Sequence, residues 1–224
     1  MWFAFFRGLS LEKVIARAVS ITSRFLCLGI ARVVFRLHIE GEEFIPRTGP
    51  TILAANHVSF IDPIVIMVSV RRPVRFMAKK ELFRFPLLGW LLRQFGTFPI
   101  NRTRINLQAF KQAASILEAG EVIAIFPEGT RGDGIELRPA KPGIGLIAAR
   151  TGAPVVPVLH QGTGKVLPRG AWFPRPYRIV IKFGPPLRFS EGQMGKRQDH
   201  AELFSQTIME NIAALKTRPA SGSQ

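Results

Sequence analysis

The sequence predicts an α/β protein with a mixed, largely parallel β-sheet flanked by helices. Short apolar runs alternate with amphipathic helical segments from about residue 36 to residue 216, and this alternation is typical of parallel sheets with helical crossovers. Several of the apolar runs also end at polar residues, as buried strands do where they reach a binding site. At 224 residues, the chain is long enough for one domain with a full hydrophobic core.

The composition narrows the class of partner. The chain carries 31 basic and 15 acidic residues, a formal charge of +16, which indicates an anionic partner: nucleic acid, an acidic membrane surface or a phosphorylated substrate. The basic residues are dispersed and accompany no nucleic-acid reader motif, so a nucleic-acid binder is disfavoured. Cys27 is the sole cysteine, which excludes a disulfide framework and predicts a buried, inert thiol.

Residues 1–38 are predicted to form an amphipathic helical membrane-association segment. At 100° per residue, residues 11–37 form a mostly apolar helix with a narrow basic stripe, and Gly29 is a candidate break. We expect this helix to lie in the interface of an anionic membrane. A helix packed on the core and a transmembrane span are the alternatives; charges interrupt the apolar run, so a clean span is not predicted. The stripe consists of Lys13, Arg17, Ser20 and Arg24.

Residues 39–216 are predicted to form the α/β domain, and residues 217–224 a disordered tail. Asp62 and Pro63 suit a helix start, since Asp caps free amides and Pro fits the first turn. The predicted strands are Arg36–Gly41, Thr51–Ala55, Val74–Ala78, Thr97–Ile100, Val122–Phe126, Pro154–Leu159 and Tyr177–Phe183. The predicted helices are Asp62–Val70, Lys80–Gln94, Arg102–Ala119, Gly143–Arg150 and Gln198–Lys216.

The first polar cluster follows the predicted strand Thr51–Ala55. Asp62, at the start of the next helix, can fold back onto His57, fix its tautomer and stabilise the imidazolium that forms when His57 takes a proton. The alternative is a histidine that only bonds the backbone of its own loop. No Gly-x-Ser-x-Gly nucleophile elbow occurs, so a His–Asp pair here would activate a substrate hydroxyl.

The second cluster follows the predicted strand Val122–Phe126. Gly129 lets the backbone approach a ligand closely, and Arg131 offers a planar fork of donors suited to phosphate. Glu128 could accept from a hydroxyl or hold an arginine. A structural turn with an exposed arginine is the alternative. Two further candidate sites are Arg102, just after the strand Thr97–Ile100, and the pair Lys141 and Gly143.

Taken together, these residues resemble the glycerolipid acyltransferase family, and most of all its bacterial lysophosphatidate acyltransferases. Asn56, His57 and Asp62 match the family's Asn-His-x4-Asp motif; a Gly-x-Phe-x-Ile-x-Arg strand end, a Phe-Pro-Glu-Gly-Thr-Arg run and a Val-Pro strand follow in the family's order. Gly132 stands where many members have serine. The three later motifs are Gly96–Arg102, Phe126–Arg131 and Val155–Val158.

The resemblance implies an acyltransferase that moves a fatty acyl group from acyl-CoA or acyl carrier protein to the sn-2 hydroxyl of lysophosphatidate. His57 and Asp62 would be catalytic, with no metal and no cofactor. It also implies an enzyme at the cytoplasmic face of the inner membrane. Another acceptor (glycerol-3-phosphate, a lysophospholipid or a lyso-aminolipid) and a non-catalytic membrane-surface protein remain alternatives. The remaining histidines, His38, His160 and His200, are read as incidental. The substrate-binding residues would be Arg102, Glu128, Gly129, Thr130, Arg131, Lys141 and Gly143.

Overall fold

The computed structural model describes residue 22 and residues 25–94, 96–100, 107–134, 136–190 and 197–217. The predicted basic stripe of the N-terminal segment and the tail beyond residue 217 therefore lie outside the described residues. The first described helix, α1, includes residues 25–33 and continues through Gly29, so the candidate break does not occur. Ala31 and Leu37 are buried in the main core. Cys27 packs partly buried against that core, and burial raises the pKa of its thiol.

A seven-stranded sheet forms the centre of the molecule. Its strand order is β1-β7-β6-β2-β5-β3-β4. Strands β6, β2, β5, β3 and β4 are mutually parallel, whereas β7 runs antiparallel to β6, and β1 is parallel to β7. The predicted mixed, largely parallel sheet is thus confirmed. The strands are β1 His38–Glu40, β2 Thr51–Ala55, β3 Val74–Lys79, β4 Thr97–Ile100, β5 Val122–Ile125, β6 Val155–Gln161 and β7 Val180–Phe183.

Helices cover both faces of this sheet. Alternate residues of β2 face opposite cores: Leu53 and Ala55 pack on the side of α1 and α2, and Ile52 and Ala54 pack on the side of α4, α5 and α7. Strands buried on both faces need apolar side chains in both directions, which explains the continuous apolar runs of β2 and β5. The remaining helices are α2 Asp62–Ser69, α3 Pro86–Gln94, α4 Leu107–Glu118, α5 Gly143–Thr151, α6 Thr163–Val166 and α7 Arg197–Ala214.

Beyond shifts of one or two residues at strand ends, the structure departs from the predicted elements at three points. The segment Lys80–Gln94 is not one helix: a 3-10 turn, Lys80–Arg84, precedes α3, which starts at Pro86 because proline lacks the amide that a continuous helix requires. Strand β7 starts at Val180 rather than at residue 177, and the Ile179 amide instead donates to the Phe35 carbonyl. The short helix α6 was not predicted.

No helix among the described residues combines the length and the apolar character needed to cross a bilayer. A membrane role for residues 1–38 therefore stays a prediction.

Candidate active site

Two loops meet at the carboxyl-terminal edge of the parallel strands. Strands β2 and β5 are hydrogen-bonded neighbours, with Ala54 opposite Ile125. Their carboxyl ends consequently deliver the loop that starts at Asn56 and the loop that starts at Phe126 to the same place. This is the edge of an α/β sheet where ligands bind.

His57 and Asp62 form the predicted pair. The Nδ1 atom of His57 lies 2.9 Å from Oδ2 of Asp62, and the carboxylate is fully buried whereas 14% of the imidazole is exposed. A carboxylate can only accept, so the neutral imidazole carries its hydrogen on Nδ1 and its lone pair on Nε2. The ring of Phe126 stacks on the imidazole, with 4.1 Å between the ring centroids. The geometry therefore presents Nε2 as a proton acceptor held in one orientation.

Asp62 does more than hold the imidazole. Its Oδ2 atom also accepts hydrogen bonds from the backbone amides of Val58 and Ser59, at 2.7 and 2.8 Å. The expectation that Asp62 caps its own helix is wrong: α2 starts at Asp62 after Ile61, without a side-chain cap. The carboxylate turns back because the histidine and the two free amides of the preceding turn compete for it.

The Asp62 carboxylate is charged in the folded protein. Burial alone raises its pKa. The nearby imidazoles of His160 and His57, together with the hydrogen bonds from His57 and the Ser59 amide, outweigh burial and place the pKa below the ordinary aspartate value.

Glu128 joins the two loops. Its Oε1 accepts the amide hydrogen of His57 at 2.9 Å, and its Oε2 accepts the amide of Arg138 at 3.3 Å. In return, the Gly132 amide donates to the His57 carbonyl at 2.7 Å. Oε1 thus holds the backbone of His57 and Oε2 holds the backbone of Arg138, whereas the sequence suggested a contact with an arginine side chain or a substrate hydroxyl. Glu128 is 5% exposed, so it holds the two loops together from a buried position.

An arginine, Arg131, lies near the His57–Asp62 pair. The guanidinium of Arg131 lies 3.6 Å above the centre of the Phe60 ring, an arrangement that fixes its plane. Burial lowers the pKa of Arg131, the nearby Arg169 lowers it further, and Asp62 opposes both effects. Arg131 stays protonated, since arginine does not lose its proton in proteins. A positive charge therefore lies near the carboxylate of the His57–Asp62 pair.

Lys141 lies over the second loop. Its amide donates to the Pro127 carbonyl at 2.9 Å. Gly129 has φ of +72°, and a Cβ atom built there would lie 2.7 Å from Cε and 3.0 Å from Nζ of Lys141. The glycine is favoured by its backbone angle, and the missing Cβ also leaves room for the flexible end of the Lys141 side chain. The structure thus brings together Gly129 and Lys141, which the sequence placed in two separate candidate clusters.

The remaining predicted residues are placed as follows. Thr130 is exposed, and its hydroxyl accepts a hydrogen bond from the Arg138 side chain at 3.1 Å. Gly143 begins α5, two residues after Lys141. Arg102 lies outside the described residues, so its phosphate role stays a prediction.

A buried histidine at this edge, His160, is one that the sequence pattern marks only as incidental. His160, near the end of β6, exchanges backbone hydrogen bonds with the Asn56 side chain: its amide donates to Oδ1 at 2.7 Å, and its carbonyl accepts from Nδ2 at 3.2 Å. No carboxylate adjoins His160 in sequence, and only the pairing of β6 with β2 brings it beside His57. Arg169, whose charge acts on Arg131, was not among the predicted site residues either.

Fold and site define an α/β protein whose His–Asp pair lies at the carboxyl ends of parallel strands, beside a cationic loop. The Acyltransferase family model matches residues 36–161. The chain belongs to this family, which confirms the resemblance drawn from its motifs.

Named relatives agree with this assignment. A chloroplast 1-acyl-sn-glycerol-3-phosphate acyltransferase of Brassica napus is 35% identical over 140 residues, which cover 61% of this chain and 40% of the relative. The enzyme of that name from Bacillus subtilis is 32% identical over 199 residues, covering 86% of this chain and 96% of the relative. The chain spans only about two fifths of the two chloroplast relatives, but nearly the whole length of the Bacillus subtilis relative.

A solved structure shares the fold. The crystal structure of the 1-acyl-sn-glycerophosphate acyltransferase from Thermotoga maritima superposes with a TM-score of 0.71 at 25% sequence identity. The match covers 96% of this chain and 88% of that one. Such coverage extends the likeness beyond the residues that the family model matches.

Proposed function

We propose that this protein transfers a fatty acyl group from an acyl thioester to the sn-2 hydroxyl of 1-acylglycerol-3-phosphate, producing phosphatidate. The observation that carries the proposal is the 2.9 Å contact between His57 Nδ1 and the buried Asp62 carboxylate, which leaves Nε2 as the basic atom. Relatives named as 1-acyl-sn-glycerol-3-phosphate acyltransferases supply the reaction class.

The proposed chemistry needs no covalent enzyme intermediate. Nε2 of His57 takes the proton of the acceptor hydroxyl as the oxygen attacks the thioester carbonyl. The charge on Asp62 stabilises the resulting imidazolium, a contribution of the general acid–base kind. The tetrahedral intermediate then collapses, the carbon–sulfur bond breaks, and the imidazolium returns the proton to the leaving thiolate. The products are the ester and the free thiol of CoA or of acyl carrier protein.

In this proposal, the cationic side chains of the site position the acceptor. Arg131, stacked on Phe60, presents a forked donor suited to a phosphate, and the Lys141 ammonium lies over the loop at Gly129. We assign the acceptor phosphate to these two side chains, with Arg102 as a third. Fixing a hydroxyl between its base and the carbonyl carbon can lower the barrier by about 7–11 kcal/mol in the best cases.

The catalytic assignment is tested with the His57→Ala variant, assayed with lysophosphatidate and radiolabelled acyl-CoA or acyl carrier protein. We expect kcat to fall by roughly 10²- to 10⁴-fold. His38→Ala is the matched control, because His38 is exposed on the edge strand β1. Near-full activity of His57→Ala would refute the general-base role.

The phosphate assignment needs an acceptor that lacks the phosphate. Arg131→Ala should lose most of its kcat/KM on lysophosphatidate but little of its low activity on monoacylglycerol. Arg150→Ala, an exposed arginine at the end of α5, should change neither. Equal losses on both acceptors would show that Arg131 does not read the phosphate. A panel with glycerol-3-phosphate, lysophospholipids and lyso-aminolipids separates the alternative acceptors.

A membrane surface is the proposed location of the lysophosphatidate acceptor. Trp172 and Phe173 are 92% and 82% exposed, and Arg169 and Arg175 flank them. The exposed residues of α1 add further apolar surface; they include Phe25, Leu26 and Val33. Aromatic side chains with basic neighbours suit an anionic interface, here assigned to the cytoplasmic face of the inner membrane.

Vesicle flotation tests the membrane assignment. A chain shortened by residues 1–24 keeps α1, whose Ala31 belongs to the core, so loss of binding would report the membrane segment rather than unfolding. We expect weaker binding to vesicles that contain phosphatidylglycerol, and a further loss when Trp172 and Phe173 become serine. Unchanged binding of both variants would exclude this surface.

A further inference from the structure

His160 is locked beside the residue that precedes the catalytic base. Its ring Nδ1 lies 3.2 Å from the backbone carbonyl oxygen of Asn56, and its own amide and carbonyl bind the Asn56 side chain. The ring is buried, with the whole residue 3% exposed. Strand β6 therefore holds this imidazole in one position at the edge of the site.

The contact with Asn56 sets the tautomer of His160. A carbonyl oxygen can only accept a hydrogen bond, so Nδ1 carries the hydrogen. Burial lowers the pKa of His160 against the opposing attraction of Asp62, which keeps the ring neutral. In the neutral ring, Nε2 then bears a lone pair and is an acceptor.

Asp62 also has a buried acceptor atom, Oδ1, without a hydrogen-bond partner among the described residues. All of its described hydrogen bonds end on Oδ2. Its Oδ1 atom and Nε2 of His160 are both buried, and neither has a hydrogen-bond partner among the described residues. The two side chains lie close enough for each to perturb the charge of the other. Each of these buried acceptors requires a donor, and one water molecule has the two hydrogens that would satisfy both.

We propose that His160 is a positioning residue for Asp62, acting through one internal water that donates to His160 Nε2 and to Asp62 Oδ1. Oδ2 is held by His57 and two amides, and the water holds Oδ1, so the plane of the carboxylate is fixed from both sides. This role rests on the proposed acyl transfer. It assigns a function to a histidine that the motif pattern leaves out.

Two variants separate this role from a purely structural one. The amide nitrogen of asparagine reaches the place of histidine Nδ1, and the amide group of glutamine reaches the place of Nε2. His160→Asn keeps the contact with the Asn56 carbonyl and loses the link to Asp62, whereas His160→Gln does the reverse. We expect His160→Gln to keep kcat within about threefold and His160→Asn to lose roughly 10- to 100-fold, the worth of one hydrogen bond to a charged group. Neither variant should change the acceptor KM.

The opposite order, with His160→Asn active and His160→Gln impaired, would show that His160 only anchors Asn56 and would overturn the proposal. A readout on the unmodified protein guards against poorly folded variants. In ¹⁵N-histidine NMR spectra of the full chain, His160 should be the neutral Nδ1–H tautomer; an Nε2–H tautomer would also overturn it. In His160→Asn, the Nδ1–H signal of His57 should move.

These NMR measurements do not depend on the acceptor. Failure of the acyl-transfer assay in the wild-type protein would refute the proposed function alone. An unmoved His57 signal in a folded His160→Asn variant would refute the coupling alone.

Discussion

Replacing Asp62 with asparagine removes the negative charge beside His57. Asparagine has nearly the same shape, and its carbonyl oxygen can take the place of Oδ2. It would then accept the same three hydrogen bonds, from His57 Nδ1, Val58 and Ser59. The tautomer of His57 is thus kept, and what disappears is the negative charge that faces the imidazolium, together with the acceptor at Oδ1 that we assign to the internal water.

The size of the effect follows from the contact distance. With 2.9 Å between Nδ1 and Oδ2, the centres of the two charges are about 4 Å apart, and their attraction at an effective dielectric constant near 20 is about 4 kcal/mol. Losing this energy in the transition state lowers kcat by roughly a thousandfold. The acceptor KM should change little, because Asp62 is fully buried and lies out of reach of the substrate.

The assay is steady-state acyl transfer, with thermal unfolding of the same samples. Asp199→Asn is the matched control, since Asp199 is exposed on α7 and should change neither kcat nor Tm. A folded Asp62→Asn variant with less than a tenfold loss of kcat would refute the argument that Asp62 acts by stabilising the imidazolium.

Three further predictions concern the second loop and the pH dependence. Gly132→Ser should place a hydroxyl near Glu128, because a Cβ atom at position 132 would lie 3.3 Å from Oε2 of Glu128. We expect Gly132→Ser to be about 1 kcal/mol more stable than Gly132→Ala, with unchanged kcat. A lower Tm for the serine variant than for the alanine variant would contradict this hydrogen bond. Gly129→Ala should lower the free energy of unfolding by about 1–2 kcal/mol, because the backbone at position 129 has φ of +72°. The substitution should also displace Lys141 and so raise the acceptor KM. A Tm equal to that of the wild-type protein would show that the backbone is not strained by alanine. The lowered pKa of Asp62 means that its charge stabilises the fold above the unfolded aspartate pKa, about 3.9, and that this is lost as the pH falls toward the folded value. Tm measured below roughly pH 5 should therefore fall less steeply in Asp62→Asn than in the wild-type protein, and equal slopes would show that Asp62 is not the titrating group.

Much of the fold could be read from local pattern. The strands Thr51–Ala55 and Thr97–Ile100 have the bounds that their apolar runs predict, because burial on both faces leaves little room for polar residues. The helical pattern of residues 80–94 predicts one helix with Pro86 inside it. The missing amide of Pro86 instead makes this residue the start of α3. The start of β7 depends on pairing with β6, and no local pattern reveals a partner strand.

The sequence by itself predicted the His57–Asp62 pair as one of two possibilities, since the two residues are five positions apart and this spacing allows the carboxylate to fold back; the structure decided for the pair. The sequence also determined the family, through motifs whose order along the chain is specific. Only the tertiary structure decided what Glu128 holds, because His57 is 71 residues away in the chain. The same is true of His160, which meets Asn56 across 104 residues. Contacts of this kind depend on which strands are neighbours in the sheet, and strand order is set by packing of the whole core rather than by any local run of residues.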